Sequence, residues 1–169
     1  MGFSNNRPSG NSRGRVTAKD GSAPRLDLEV LGRAAPDVCI LFTGTGSARD
    51  LARRVHNLGR TARGRFRVVD CRWPEDLLEQ QVLHALRPGS SGTILLEDVE
   101  RLSPEFQDRL LDALDDLPDP RSPRSPRARV MASTSEPLLQ RALEGRFNER
   151  LFYRLSAIHV VIPLDLGDL

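Results

Sequence analysis

The chain has 169 residues, 38% apolar and 28% charged, with a formal net charge of +2. That is the size of one domain with one modest core, and the balance excludes collagen-like, coiled-coil and wholly disordered chains. No run approaches the roughly 18 consecutive apolar residues of a membrane span, and Met1 to Lys19 lacks the apolar block of a secretory signal, so a cytoplasmic protein is expected.

Residues 1–24 are rich in Gly, Ser, Asn and Arg with almost no apolar content. Such a segment buries too little surface to offset its ordering entropy, and a disordered basic arm is expected there. The folded core is expected over 25–169. Leu26, Leu28, Val30 and Leu31 suggest a short helix ending near Gly32, and Pro36-Asp37 a turn. Val38 to Phe42 is apolar throughout, as in a strand covered on both faces. The glycine loop Thr43 to Ser47 follows, then a helical pattern carrying Leu51, Ala52 and Val55. Phe66 to Cys71 predicts a second strand, and Pro74 to Leu86 a helix with Leu78, Val82 and Leu86 on one face. Gly92 to Asp98 predicts a third strand. Ser103 as N-cap with Pro104 behind it opens a helix whose Phe106, Leu110, Leu111 and Leu114 share a face. Pro118 to Pro126 predicts an exposed loop, Arg129 to Thr134 a fourth strand, Pro137 to Leu143 and Phe147 to Leu155 short helices, and Ile158 to Ile162 a fifth strand. Strands alternating with helices imply an α/β domain, a mostly parallel sheet with helices on both faces.

Of 25 basic residues 24 are arginine, and the single lysine, Lys19, lies in the N-terminal arm. Chemistry needing a lysine within the core is closed to this chain. Charge is segregated: between Arg49 and Arg72 eight arginines face two aspartates, and between Leu95 and Pro120 nine acids face two arginines. The basic block suits either a solvated face or sequence-independent nucleic-acid binding through residues 49–72. Cys39 and Cys71 sit in apolar runs and read as buried reduced thiols, and His56, His84 and His159 lack metal-ligand spacing.

A glycine loop between a buried strand and a helix is where backbone N–H groups and a helix N-terminus favour an anion. Gly44, Thr45, Gly46, Ser47, Ala48, Arg49 and Asp50 are therefore the candidate nucleotide-binding residues. Later segments supply a resemblance. Gly92 to Val99 (GTILLEDV) and the LSPEFQDRLL that follows are similar to the Walker B strand and next helix of the AAA+ domain of sigma-54-dependent transcriptional activators, GTLFLDEI and LQxxLL. Leu143 to Leu155 (LEGRFNERLFYRL) resembles that family's AEGRFRxDLYYRL, Phe66 to Cys71 its FVAVNC, and Arg129 to Ser135 its RIIAATN. The resemblance spans residues 38–163 and implies a P-loop-type three-layer sandwich with a five-stranded sheet, the AAA+ core without the helical lid.

The departures from that family shape the functional expectation. Its GETGTGKE loop falls on Thr43 to Asp50 as TGTGSARD, with Ala48 for the last glycine and Arg49 for the lysine that would hold phosphate. Its Asp-Glu acids are inverted to Glu97-Asp98; the first position would hold magnesium if nucleotide binds, and the second would orient the attacking water. As neighbours on a strand the two acids should point to opposite faces. Ser135 stands for the family's sensor Asn, Arg154 matches one arginine acting in trans, and the other falls on Asn148. The GAFTGA loop that contacts the sigma factor is replaced by Arg87 to Ser91, and neither a lid nor a DNA-binding helix-turn-helix is legible. The resemblance thus implies a degenerate, catalytically impaired module of transcription regulation, with ATP and Mg doubtful as cofactors. Its implied partner is another AAA+ activator or a sensor or regulator protein rather than sigma-54 itself. An ATP-binding transcriptional regulator with altered Walker motifs, with or without hydrolysis, is the alternative, and sequence-independent nucleic-acid binding through 49–72 a second.

Overall fold

The computed structural model describes residues 27–35, 38–87, 89–116 and 128–162. The expected N-terminal arm, the Pro36-Asp37 turn and the loop from Pro118 to Pro126 lie outside them. Five strands form one sheet: β1 (Ile40–Thr43), β2 (Arg65–Asp70), β3 (Gly92–Glu97), β4 (Arg129–Thr134) and β5 (Ile158–Val161). Their order is β2-β3-β4-β1-β5 and every pairing is parallel, with Ile40 registered on both Met131 and Ile158 and Leu95 on both Val68 and Met131.

Successive strand residues face opposite ways, so the apolar run of β1 feeds two cores. Ile40 and Phe42 join Leu95, Met131 and Val160 beneath Leu31 of α1 (Leu28–Arg33) and Ala52 and Val55 of α2 (Ala48–Leu58). Leu41 joins Ile94, Leu96, Val130 and Ala132 on the other side. There the cover is α3 (Glu75–Leu78), α4 (Pro104–Asp115), α5 (Leu138–Leu143) and α6 (Glu149–Leu155). The three-layer arrangement expected from the sequence is the one observed. Full burial of an aliphatic side chain contributes about 1.5–3 kcal/mol, and with few aromatics these layers are mainly aliphatic.

Two elements differ in detail from the sequence reading. The helix expected from Pro74 to Leu86 is α-helical over α3, widens into a π turn at Glu79–Leu83 and returns to α-helical backbone at His84 and Ala85. Leu78, Val82 and Leu86 are nevertheless all buried, so the apolar spacing survives the extra residue in the turn. The third strand ends at Glu97, and Asp98 takes a left-handed conformation (φ 56°, ψ 50°) before a short 3₁₀ turn at Val99–Arg101. A short polar side chain is among the few that tolerate that backbone.

Between α2 and β3 lies a buried polar chain. His56 Nδ1 is 2.9 Å from Thr93 Oγ1, which is 2.9 Å from Thr61 Oγ1. At the opposite edge Thr43 Oγ1 lies 2.8 Å from His159 Nε2. Burial holds the His56 imidazole below the ordinary histidine range, with Arg53 and Arg129 pushing it further down, and partial desolvation lowers the more exposed His159. The unfolded chain therefore takes up protons that the folded chain refuses. Stability from these groups is complete above the ordinary pKa of about 6.5 and falls as the pH drops below it. We expect the urea midpoint to decline between about pH 7.5 and 5.5, above the range where carboxylates protonate, and less steeply in His56→Gln/His159→Gln. An identical decline in the double variant would show that other groups set the acid limit.

Cys39 and Cys71 are buried thiols. Burial, then the charges of Asp70, Glu100, Asp98 and Glu97, push the Cys71 thiol far up, so it is no nucleophile at neutral pH. Among the described residues no helix is long and apolar enough to cross a membrane.

Candidate functional site

The strands β1, β3 and β4 run parallel, so their carboxyl ends open on one edge of the sheet, where the loop after β1 meets the N-terminus of α2. Gly44 has φ +139°, and a Cβ there would run into the Ile162 carbonyl oxygen, so only glycine lets the loop leave β1 this close to the end of β5. Ser47 caps α2: its hydroxyl accepts from the Asp50 N–H at 3.4 Å and donates to the Asp50 carboxylate at 2.5 Å.

A cleft of about 560 Å³ lies in front of this turn, lined by residues 44–50, Glu97, Asp98 and residues 133–135. Every residue the sequence nominates for nucleotide binding, both acids and Ser135 are thus brought together. The orientation expected for the acids is corrected. Thr93, Leu95 and Glu97 alternate onto the α2 side of β3, but the left-handed turn at Asp98 removes it from strand geometry, and both carboxylates line the same cleft.

Arginines fill the electrostatics of this cleft. Arg49, in the first turn of α2, reaches Glu97 with two parallel bonds, Nε to Oε1 at 2.8 Å and Nη2 to Oε2 at 2.6 Å. This fork-to-carboxylate geometry is one that an ammonium cannot make. The bond to Glu97 and then its charge raise the Arg49 pKa above an already high value. Arg72, just past β2, grips Asp70 through Nη2 to Oδ2 at 2.6 Å and Nε to Oδ1 at 2.9 Å, and reaches Asp98 Oδ2 at 3.4 Å. The Arg72 bond holds the Asp70 carboxyl below the usual carboxylate range. Asp70 and Arg72 are members of this group that the sequence reading misses; their two-residue spacing at a strand end is the available signal.

Arg154 lies elsewhere. From α6 it donates to the Leu114 carbonyl at 3.1 Å and pairs with Asp115 at 3.6 Å, bracing the C-terminal end of α4. Asn148 is the N-cap of α6, accepting from the Leu151 N–H at 3.0 Å and donating to Asp108 at 2.7 Å. An arginine at position 148 would lose that cap. Among the described residues no group of three His, Cys, Asp or Glu side chains is placed to hold a metal ion.

A glycine turn leading from a buried parallel strand into a capped helix, with acids at the end of a neighbouring strand, defines a P-loop NTPase-type core. Residues 32–164 match the family described as the Sigma-54 interaction domain, and the chain belongs to that family. It is 31% identical over 152 residues to regulatory protein AtoC of Escherichia coli K12, covering 77% of this chain and 33% of AtoC. With the DNA-binding transcriptional regulator NtrC of E. coli K12 it shares 28% over 175 residues, 89% of this chain and 37% of NtrC. The chain spans about a third of the length of these curated relatives. Among solved structures, NtrX from Brucella abortus in complex with ATP superposes with a TM-score of 0.65 at 25% identity, over 80% of this chain and 35% of that one. The P-loop NTPase domain of the Sigma-54 transport activator from E. coli gives 0.59 at 23% identity, over 81% and 90%, and shows the shared fold.

Proposed function

We propose that this chain is a AAA+ domain of the sigma-54 interaction type that acts in transcription regulation as an interaction module with impaired nucleotide turnover. Similarity to named transcriptional regulators supports the regulatory setting. The two-bond Arg49–Glu97 pair carries the impairment. In the family pattern a lysine at position 49 would hold phosphate and an acid at position 97 would hold magnesium. Here the cation and the acid neutralise each other, and Arg72 occupies Asp98 and Asp70 in the same way. Glu97 and Asp98 do not fit a magnesium phosphate without first releasing these guanidiniums, and the only lysine is Lys19.

On this reading the protein is cytoplasmic, with a basic arm over 1–24 and the core beyond it. Its partner is another AAA+ activator or a regulator protein; the short Arg87 to Ser91 connection argues against direct sigma-54 contact. Arg154 serves as a brace for α4, since a trans role would require it to leave Leu114 and Asp115. Phosphate release from Mg-ATP tests the proposal: the rate should equal the buffer background. Turnover that disappears in Glu97→Gln would overturn it. The retained turn at Gly44 and the open cleft favour the second reading, an ATP-binding regulator with altered motifs, which calorimetric titration with Mg-ATP separates from the first.

A further inference from the structure

Two groups of arginine stand out among the described residues. Arg33, Arg49, Arg72, Arg101, Arg109, Arg141, Arg146, Arg150 and Arg154 each pair with a carboxylate. Among the described residues Arg53, Arg54, Arg60, Arg63, Arg65 and Arg67 form no ion pair, although the domain holds many acids. These six follow one another in the chain, running from α2 through the turn into β2. That strand pairs only with β3, so it is an edge of the sheet. The two ends of the basic run, Arg49 and Arg72, are spoken for by the cleft acids, so this face is separate from the nucleotide-loop site.

The face has shape as well as charge. A concavity of about 300 Å³ is lined by Arg63, Arg65, Arg67, His84, Ser90 and Ser91 among others, and an adjoining shallow one by Arg65, Arg67, Gln80, Gln81 and His84. Among the described residues neither is lined by an aspartate or glutamate. Asp76 and Glu79 line a neighbouring cleft with Gln80, His84 and Arg87, and Glu79 is taken up by Arg109 at 2.8 Å. On the α2 side of the same edge Arg53 lies over the Phe66 ring, 4.8 Å from its centroid.

From this geometry we infer that the β2 edge binds the phosphate backbone of a nucleic acid without reading its sequence. Arg65 and Arg67, two residues apart on one strand face, are spaced by about 6.6 Å, close to the interval between successive phosphates of one nucleic-acid strand. Arginine forks match phosphate oxygens in pairs, and serine hydroxyls and glutamine amides supply neutral donors around them. Phe66 lines the shallow concavity but is half-buried beneath Arg53, which leaves no open ring to stack bases, so charge and backbone shape set the affinity.

The full chain should therefore bind a labelled single strand of about 20 nucleotides in fluorescence anisotropy, with log affinity falling at a slope of about −3 against log salt if about four phosphates are neutralised. Raising salt from about 50 to 200 mM should cost roughly sixtyfold, and two strands of unrelated sequence should behave alike. Arg63→Gln/Arg65→Gln/Arg67→Gln should weaken low-salt binding at least tenfold and reduce the slope to about −1, whereas Arg146→Gln/Arg150→Gln should change neither. No binding at low salt, a flat salt response, or full binding by the triple variant, as would follow if the N-terminal arm held the strand, overturns the inference. Equal or tighter binding of polyglutamate does so too, by making an acidic protein segment the partner.

Discussion

Rebuilding the family pattern in the cleft with Ala48→Gly, Arg49→Lys, Glu97→Asp and Asp98→Glu together should raise affinity for Mg-ATP about a hundredfold or more over the native chain. Two recovered charge-assisted hydrogen bonds of about 1.5 kcal/mol each correspond to that factor. The gain arises because the native cation and acid are bound to each other across 2.6 to 2.8 Å, and a shorter carboxylate at position 97 facing a compact ammonium at position 49 would no longer form a two-bond pair. The four positions line one cleft and act as a unit, so Arg49→Lys alone should recover much less than the full effect. Displacement of a fluorescent ATP analogue measures it. A folded quadruple variant with unchanged affinity would show that the Arg49–Glu97 clamp is not what closes the site.

Gly92→Ala should destabilise the fold by about 3 kcal/mol, lowering the melting temperature by roughly 10 °C. Gly92 opens β3 with φ +106°, and a Cβ there would overlap the Arg65 carbonyl oxygen and lie 2.7 Å from the Arg65 nitrogen. Gly64 faces the same approach, with its Cβ position overlapping the Gly92 backbone. These two glycines let β2 and β3 begin side by side in the register that pairs Asp70 with Glu97. A shift there would move Arg72 and both cleft acids together with the basic β2 edge. Thermal unfolding within a degree or two of the native chain would mean the strand start relaxes without cost.

Much of the fold is legible because aliphatic patterning and turn residues agree with one another. The apolar run before the glycine loop, the Ser103-Pro104 cap and the Leu78, Val82, Leu86 spacing each mark an element that the structure contains. The seven loop residues, the two acids and Ser135 come together because strand-end positions in a parallel sheet converge on one edge. Orientation is less accessible. Strand parity places Glu97 toward α2 but fails one residue later, because a left-handed backbone at Asp98 leaves no periodic trace in the sequence. The Arg49–Glu97 and Arg72–Asp98 pairs join residues far apart in the chain and depend on packing that no local pattern encodes. The basic run from Arg49 to Arg72 looks uniform as a sequence, yet its ends serve the cleft and its middle forms a separate face.

Calorimetric titration of the full chain with ATP in the presence of magnesium tests most directly whether the cleft arginines and acids have cancelled one another. Heat indistinguishable from dilution up to millimolar nucleotide is the expected result. Micromolar binding that vanishes in Gly46→Glu, where a carboxylate would intrude on the loop, would contradict it.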